Sequence, residues 1–199
     1  MLNYLDFLLI FFLVVGGLWG LLRGGGKLLI SLFSLYIGLV ISLLLYRPLG
    51  NFFRSVLTSM SISGSYALAF VFLLLVSVNA ISFLTHFLST PPEERRRKKK
   101  GHLQEAVTRS GRRFLTGPLN QILGLILGFA AAVVWISLFL AVLQYIFRMG
   151  LVQQGAFWTQ LETSALVPWF NQALAWIYWA VSIWLPGGVP GFFEGLTQS

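Results

Sequence analysis

Four long apolar runs, separated by short polar or basic segments, dominate the pattern of hydrophobic and polar positions along the chain. They cover residues 4–22, 28–46, 67–88 and 119–147. Each run is close to or above the roughly 20 residues that an α-helix needs to cross about 30 Å of hydrocarbon. The pattern therefore predicts an all-α integral membrane protein built as a bundle of four transmembrane helices.

The segments between the runs carry residues that commonly end helices or lie in water. Residues 23–27 are basic and glycine-rich and separate the first two runs, and Arg47 and Pro48 end the second. Residues 89–118 form a polar, strongly basic loop before the fourth run. Because no segment is long enough for a separate soluble domain, we assign residues 1–148 to one four-span membrane domain.

Residues 149–199 differ in kind, because they hold five of the seven tryptophans. These are Trp158, Trp169, Trp176, Trp179 and Trp184. Within the apolar piece 167–185, Asn171, Tyr178 and Ser182 fall on one helical stripe, and tryptophan and tyrosine favour the headgroup region of a bilayer. We predict an amphipathic helix that is interfacial or re-entrant, with a fifth transmembrane span as the alternative.

Composition and charge agree with a membrane protein. Hydrophobic residues make up 57% of the chain and charged residues only 10%, against about 25% in soluble domains. The net charge of +8 is concentrated, because nine of the fourteen basic residues lie within residues 95–113. Loops rich in lysine and arginine stay in the cytoplasm, so we expect this loop inside and both termini outside.

A run of six basic residues lies in that loop. It consists of Arg95, Arg96, Arg97, Lys98, Lys99 and Lys100. Contact with anionic headgroups is favourable by about 1 kcal/mol per basic residue near the surface, and the same run also sets topology. Nucleic-acid binding would need interleaved aromatic residues or a folded platform, and neither is visible. We therefore expect the lipid bilayer as a partner, and no nucleic acid.

Three of the predicted spans carry small residues at four-residue spacing, which lets helix backbones approach closely in a membrane. The predicted packing residues are Gly16, Gly20 and Gly24 in the first span, Ser34, Gly38 and Ser42 in the second, and Gly124, Gly128 and Ala132 in the fourth. Any one stripe is also explained by the abundance of glycine in spanning helices. The pattern favours a tight bundle but leaves open whether the stripes join helices within one chain or between chains.

Two polar residues within the spans invite a functional interpretation. Asp6 is a candidate because a charge in hydrocarbon costs about 2.5 kcal/mol or more, but it also lies three residues after Asn3, where a carboxylate caps a helix start. Asn79 lies near the middle of the third span, beside Ser77 and Ser82. It either lines a polar path or makes a hydrogen bond between helices, and we favour the second interpretation.

No pattern of residues points to catalysis, a cofactor or a metal. The chain has no cysteine, and its two histidines, His86 and His102, have no acid or second histidine at ligand spacing. Ser63 to Ser65 form a turn with no histidine placed beside it. The glycines of residues 23–27 lack the preceding strand and the Lys-Ser or Lys-Thr pair of a phosphate-binding loop. We therefore predict a protein that is not an enzyme.

Four short motifs follow one another along the chain. They are Tyr4-Leu5-Asp6, then Leu22-Arg23-Gly24 with Lys27, then Leu119-Asn120-Gln121-Ile122-Leu123-Gly124 with Gly128, and then Ser164-Ala165-Leu166-Val167-Pro168. In their order the chain resembles the colicin V production (CvpA) family of bacterial inner-membrane proteins. Together the motifs cover residues 4 to about 170. Two departures are the pair Ala131-Ala132, where many members carry Arg-Gly, and a longer basic insertion.

The resemblance implies an inner-membrane protein that supports the production or export of a peptide toxin, and envelope homeostasis, without enzymatic activity. Its family-like motif residues here are Asp6, Arg23, Gly24, Ser164 and Pro168. A second copy of the chain or a protein of the envelope or of secretion is the expected partner. The alternative function is a small channel or transporter formed by oligomerised bundles. A membrane hydrolase is disfavoured because no nucleophile–base pair is visible.

Overall fold

The computed structural model describes residues 2–56, 61–88, 117–148 and 155–184. Three sequence-based expectations fall outside this description: those on the basic run 95–100, on His102 and on the side chain of His86.

Six helices make up the described part of the chain. They are α1 Tyr4–Arg23, α2 Gly25–Val56, α3 Ile62–Leu88, α4 Pro118–Arg148, α5 Ala156–Glu162 and α6 Val167–Ser182. Within the described ranges, α1 to α4 are long and apolar enough to cross a membrane. The predicted fold class, an all-α bundle of four membrane-spanning helices followed by a shorter tryptophan-rich helix, is confirmed.

Helix α2 is longer than the span predicted from the sequence. Arg47 and Pro48 were expected to end it, but the helix passes through Pro48 and continues to Val56. Proline removes one backbone hydrogen bond without preventing a neighbouring helix from packing against the turn. That neighbour is α3, where Tyr66 lies against Gly50 so closely that a Cβ at Gly50 would sit 2.3 Å from its ring.

The four long helices pack as two antiparallel pairs, α1 with α4 and α2 with α3. In the second pair, Gly38 lies against Val78 and Gly50 against Tyr66, so the two helices run in opposite directions. Helix α4 also contacts α2, which joins the pairs into one bundle. The larger apolar core forms where α2, α3 and α4 meet α6. Its most buried members are Leu39, Phe70, Leu138, Leu174 and Val181.

Helix α6 begins near the start of α1 and descends along the bundle. Its far end lies against Tyr36, whose hydroxyl donates to the Ala180 carbonyl at 3.0 Å and accepts from Trp184 Nε1 at 2.9 Å. Tyr36 is close to midway between Lys27 and Arg47, the exposed cations near the two ends of the apolar part of α2. Within the described part of the chain α6 has 16 residues, fewer than the roughly 20 that a span needs.

The two faces of α6 are divided differently from the sequence-based interpretation. Asn171, on the predicted polar stripe, is half-buried, and its side-chain oxygen accepts a hydrogen bond from Gln144 Nε2 of α4 at 3.1 Å. The outward face instead carries Trp169, Trp176 and Trp179. The polar stripe is therefore partly used inside the protein, because Gln144 is itself buried and requires a partner.

Candidate functional site

The start of α1 is closed by a reciprocal cap. The Asn3 side chain accepts a hydrogen bond from the Asp6 backbone N–H at 3.0 Å, and Asp6 Oδ2 accepts one from the Asn3 backbone N–H at 2.9 Å. Both bonds satisfy donors that a helix N-terminus otherwise leaves without partners. Asp6 thus has the capping geometry considered from the sequence, but this accounts for only part of its contacts.

Asp6 also binds the segment between α5 and α6, about 160 residues further along the chain. Its carboxylate accepts hydrogen bonds from the Ser164 hydroxyl at 2.5 Å, the Leu166 N–H at 3.1 Å and the Ala165 N–H at 3.3 Å. The side chain is fully buried, at 0% exposure. A buried charge is tolerated where hydrogen-bond donors surround it, and four donors converge on this one. We call Asn3, Asp6 and Ser164 the polar junction.

Ser164 continues the polar junction into α6. Its hydroxyl oxygen accepts from the Val167 N–H at 3.1 Å and the Leu166 N–H at 3.3 Å, which satisfies donors at the start of that helix. Pro168 follows in the first turn, where a missing N–H costs nothing. On the other side, Asn3 Nδ2 donates to the Gln160 carbonyl at 2.5 Å at the end of α5. The polar junction therefore fixes α1, α5 and α6 together.

The chemistry available at the polar junction is structural. The Ser164 hydroxyl donates to Asp6 and accepts two backbone N–H groups, so its lone pairs and proton are all engaged. Ser164 is 5% exposed and Asp6 is fully buried, which leaves no open side from which a substrate would approach. Among the residues that the structure describes, no group of three His, Cys, Asp or Glu side chains is placed to hold a metal ion.

A second polar contact lies at the opposite end of α1. A single residue, Gly24, connects α1 to α2, with φ of 77°, a conformation that glycine adopts without strain. Asn120, near the start of α4, covers this turn: its side-chain oxygen accepts from the Gly26 N–H at 3.2 Å. A Cβ at Gly24 would lie 2.5 Å from Asn120 Nδ2. We call Gly24, Gly26 and Asn120 the glycine turn.

Two cations, Arg23 and Lys27, flank the glycine turn. The Arg23 guanidinium carbon lies 5.1 Å from the centre of the Trp19 ring, within cation–π distance on the same helix. Both Arg23 and Lys27 are exposed, as expected for side chains that reach the phosphate layer from the end of a span. The Arg-Gly pair thus divides its roles, since the glycine makes the turn and the arginine faces outward.

Between the two polar contacts, α1 and α4 touch through their small residues. A Cβ at Gly16 would lie 2.5 Å from the Ala132 Cβ, and a Cβ at Gly20 would lie 2.2 Å from the Gly124 carbonyl oxygen. A Cβ at Gly128 would lie 2.5 Å from the Gly16 carbonyl oxygen. The structure therefore places the first and fourth stripes against each other within one chain.

The second stripe lies against a different partner. Gly38 faces Val78 of α3, while Ser34 and Ser42 are fully buried. Their hydroxyls donate to the Ile30 and Gly38 carbonyl oxygens one turn earlier in the same helix, at 2.9 and 2.6 Å. Both hydroxyls are therefore hydrogen-bonded within α2, and these serines offer only small side chains to the neighbouring helices.

Asn79 is exposed on the outside of α3, and its Nδ2 donates to the Leu75 carbonyl oxygen of its own helix at 2.7 Å. It therefore does not line a path within this bundle. Ser65 is buried, and its hydroxyl donates to the Ile62 carbonyl oxygen.

Sequence reasoning did not single out Asn120 and Gln144 as site residues. The available signal is a polar amide inside a long apolar run, which needs a partner wherever it is buried.

The four motifs that carried the family resemblance meet in two pairs: Asp6 with Ser164 at one end, and Gly24 with Asn120 at the other. Residues 5–96 match the family model described as Colicin V production protein. The resemblance to the CvpA family is confirmed, and with the four long apolar helices it identifies a membrane protein. No curated protein and no solved structure matches the chain. The matched region contains Asp6 and Gly24, whereas Ser164 and Asn120 lie beyond it.

Proposed function

We propose that this chain is a non-enzymatic component of the bacterial inner membrane that supports the production or export of a peptide toxin and envelope homeostasis. The match of residues 5–96 to the Colicin V production family supports the link to toxin production. The polar junction supports the non-enzymatic character. There, the hydrogen bonds of the Asp6 carboxylate and the Ser164 hydroxyl hold helices together.

A toxin-release assay tests this proposal. A strain that lacks the chain but expresses a colicin V-type peptide should release less toxin, and the wild-type chain should restore release. Ser164→Ala should restore release in proportion to the amount of folded protein in the membrane, since the hydroxyl only holds the polar junction. Complete loss of release at a normal level of folded Ser164→Ala would indicate a chemical role. Normal release in the deletion strain would contradict the link to toxin production.

We further propose that the glycine turn and the basic run 95–100 are cytoplasmic, so that the polar junction and both termini lie on the outer side. The support is the concentration of basic residues within 95–113, together with Arg23 and Lys27 at the glycine turn. Reporter fusions at residues 100 and 199 should therefore report opposite sides of the membrane. If both fusions report the cytoplasm, the C-terminus is inside, which contradicts its proposed outer placement and favours a fifth crossing after α4.

One observation supports the alternative function, a channel formed between copies of the bundle. Asn79 presents its amide on the outside of α3, where a path between chains, but not within one chain, would pass. A flux assay with purified protein in liposomes separates the two functions. Ion or solute flux that Asn79→Leu abolishes would favour the channel, and tight liposomes would favour the supporting role.

A further inference from the structure

The side chain of Asn79 lies at the middle depth of the bundle. Helices α2 and α3 are antiparallel, and Val78 packs against Gly38. Gly38 is close to midway between Lys27 and Arg47, two exposed cations whose separation along α2 is about 30 Å at 1.5 Å per residue, the thickness of a hydrocarbon core. Asn79 is therefore near the centre of the bilayer when these cations reach the two interfaces.

At that depth, the amide of Asn79 points away from its own bundle. The side chain is exposed, and the structure gives it one hydrogen bond among the described residues, from Nδ2 to the Leu75 carbonyl oxygen. One N–H and the side-chain oxygen then remain to be satisfied. Acyl chains offer neither donors nor acceptors, so an amide facing lipid forfeits the hydrogen bonds it makes elsewhere.

Among the side chains that the structure describes, the exposed neighbours of Asn79 on α3 are apolar, and Ser82, one turn away, is half-buried. The exposed neighbours one and two turns away are Phe72, Leu75, Val76 and Phe83, with exposures between 48% and 74%. Ala80, adjacent to Asn79, is also exposed, and its small side chain allows another helix to approach. A single amide within an apolar helix face is the arrangement by which polar side chains join helices inside membranes.

We propose that this face of α3 is a self-association surface, where Asn79 of one chain bonds Asn79 of a second copy. An asparagine side chain carries both donors and an acceptor, so two copies satisfy each other. A two-fold axis along the bilayer normal brings both amides to the same depth without any adjustment. A different membrane protein would need its own polar group at mid-depth on an apolar face. The inference does not rest on the proposed role in toxin production.

The absence of cysteine from the chain makes a direct test available. Leu75→Cys places a thiol one turn from Asn79 at a position that is 49% exposed. Leu8→Cys is the matched control, because Leu8 is 47% exposed in the N-terminal half of α1, on a different face of the bundle. Oxidation of native membranes should give disulfide-linked dimers with Leu75→Cys and several-fold fewer with Leu8→Cys.

The hydrogen bond itself is tested in the Leu75→Cys background. Asn79→Leu should weaken association about three- to thirtyfold, the range expected for polar contacts between membrane helices, while Asn79→Gln should retain most of it. Cross-linking that is equal at both positions, or that Asn79→Leu leaves unchanged, would overturn the proposal. When purified chains that each carry one fluorophore are diluted in lipid vesicles, single wild-type particles should photobleach in two steps, as expected for a dimer. Particles of Asn79→Leu should photobleach in one step. A single step for the wild type would show that no second copy covers this face.

Discussion

The α1–α4 pair and the α2–α3 pair achieve close helix contact by different means. In the first pair, backbone meets backbone, because Gly16 and Gly20 lie directly against Gly124 and Gly128. In the second pair, side chains fill the interface, including Leu39, Phe70 and the perpendicular rings of Tyr46 and Tyr66. Polar contacts between distant segments lie at both ends of α1, where Asp6 binds Ser164 and Asn120 binds the Gly26 N–H.

This difference indicates where the protein tolerates change. Lipid tails are as apolar as leucine, so helices in a bilayer associate through packing and hydrogen bonds. An interface of side chains adjusts by rotamer changes, whereas backbone atoms cannot move aside without shifting a helix. The α1–α4 pair should therefore be the less forgiving of the two, and the following variants test that expectation.

The largest effect is expected for Gly20→Ile in the α1–α4 pair. Even the first added carbon would lie 2.2 Å from the Gly124 carbonyl oxygen, so the helices must separate, at a cost of about 3 kcal/mol or more. Gly128→Ile should lower the stability by a similar amount. The measurement is thermal stability in detergent, with Gly155→Ala as the control, since no atom of the described residues lies within 4 Å of a Cβ there. Wild-type stability in both isoleucine variants would refute the backbone contact.

Asp6→Ala should rank second. It leaves the Ser164 hydroxyl and the Ala165 N–H without their acceptor, and losing hydrogen bonds to a buried charged group costs about 2–3 kcal/mol. The α5–α6 segment should also become more sensitive to protease. Ser182→Ala serves as the control, because that hydroxyl bonds only the Trp179 carbonyl of its own helix. Equal protease sensitivity of the two variants would remove the polar junction as the attachment of this segment.

Gly38→Ala should have a smaller effect, because it falls in the α2–α3 pair. The new methyl group meets Val78 Cγ2 at 2.8 Å, and that side-chain carbon can move by rotation, although the Val78 backbone nitrogen is close behind at 3.2 Å. We expect a loss of about 1 kcal/mol in stability in detergent. The same substitution at Gly20 should cost clearly more. If the two alanine variants lose equal stability, the two pairs do not differ as described.

Arg23→Lys should affect stability least, by less than about 0.5 kcal/mol, since the side chain is exposed. We nevertheless expect reduced complementation of toxin release, because lysine cannot reproduce the planar, bidentate contacts of a guanidinium. Trp19→Leu, which removes the ring beneath Arg23, is the comparison. If Trp19→Leu reduces complementation equally, the arginine acts through that ring. Full activity of Arg23→Lys would leave Arg23 as a determinant of topology alone.

How much of the structure can be predicted from the sequence depends on how far apart along the chain the interacting residues lie. The spans follow from apolar run length against bilayer thickness, and the cap of α1 follows from Asn3 and Asp6, three positions apart. The continuation of α2 through Pro48 could not be read in the same way. A local rule ends a helix near proline, but packing of Gly50 against Tyr66 overrides it.

The same distinction between local patterns and long-range contacts applies to the candidate site. Sequence spacing marked Asp6, Gly24 and Ser164 through a family resemblance and marked the glycine stripes through a four-residue repeat. Only the tertiary structure joined Asp6 to Ser164, brought Asn120 to the Gly26 N–H and placed Asn79 on the outside of α3. A hydrogen bond is local in space but not along the chain, so partners some 95 or 160 residues apart are identified only after the helices have packed.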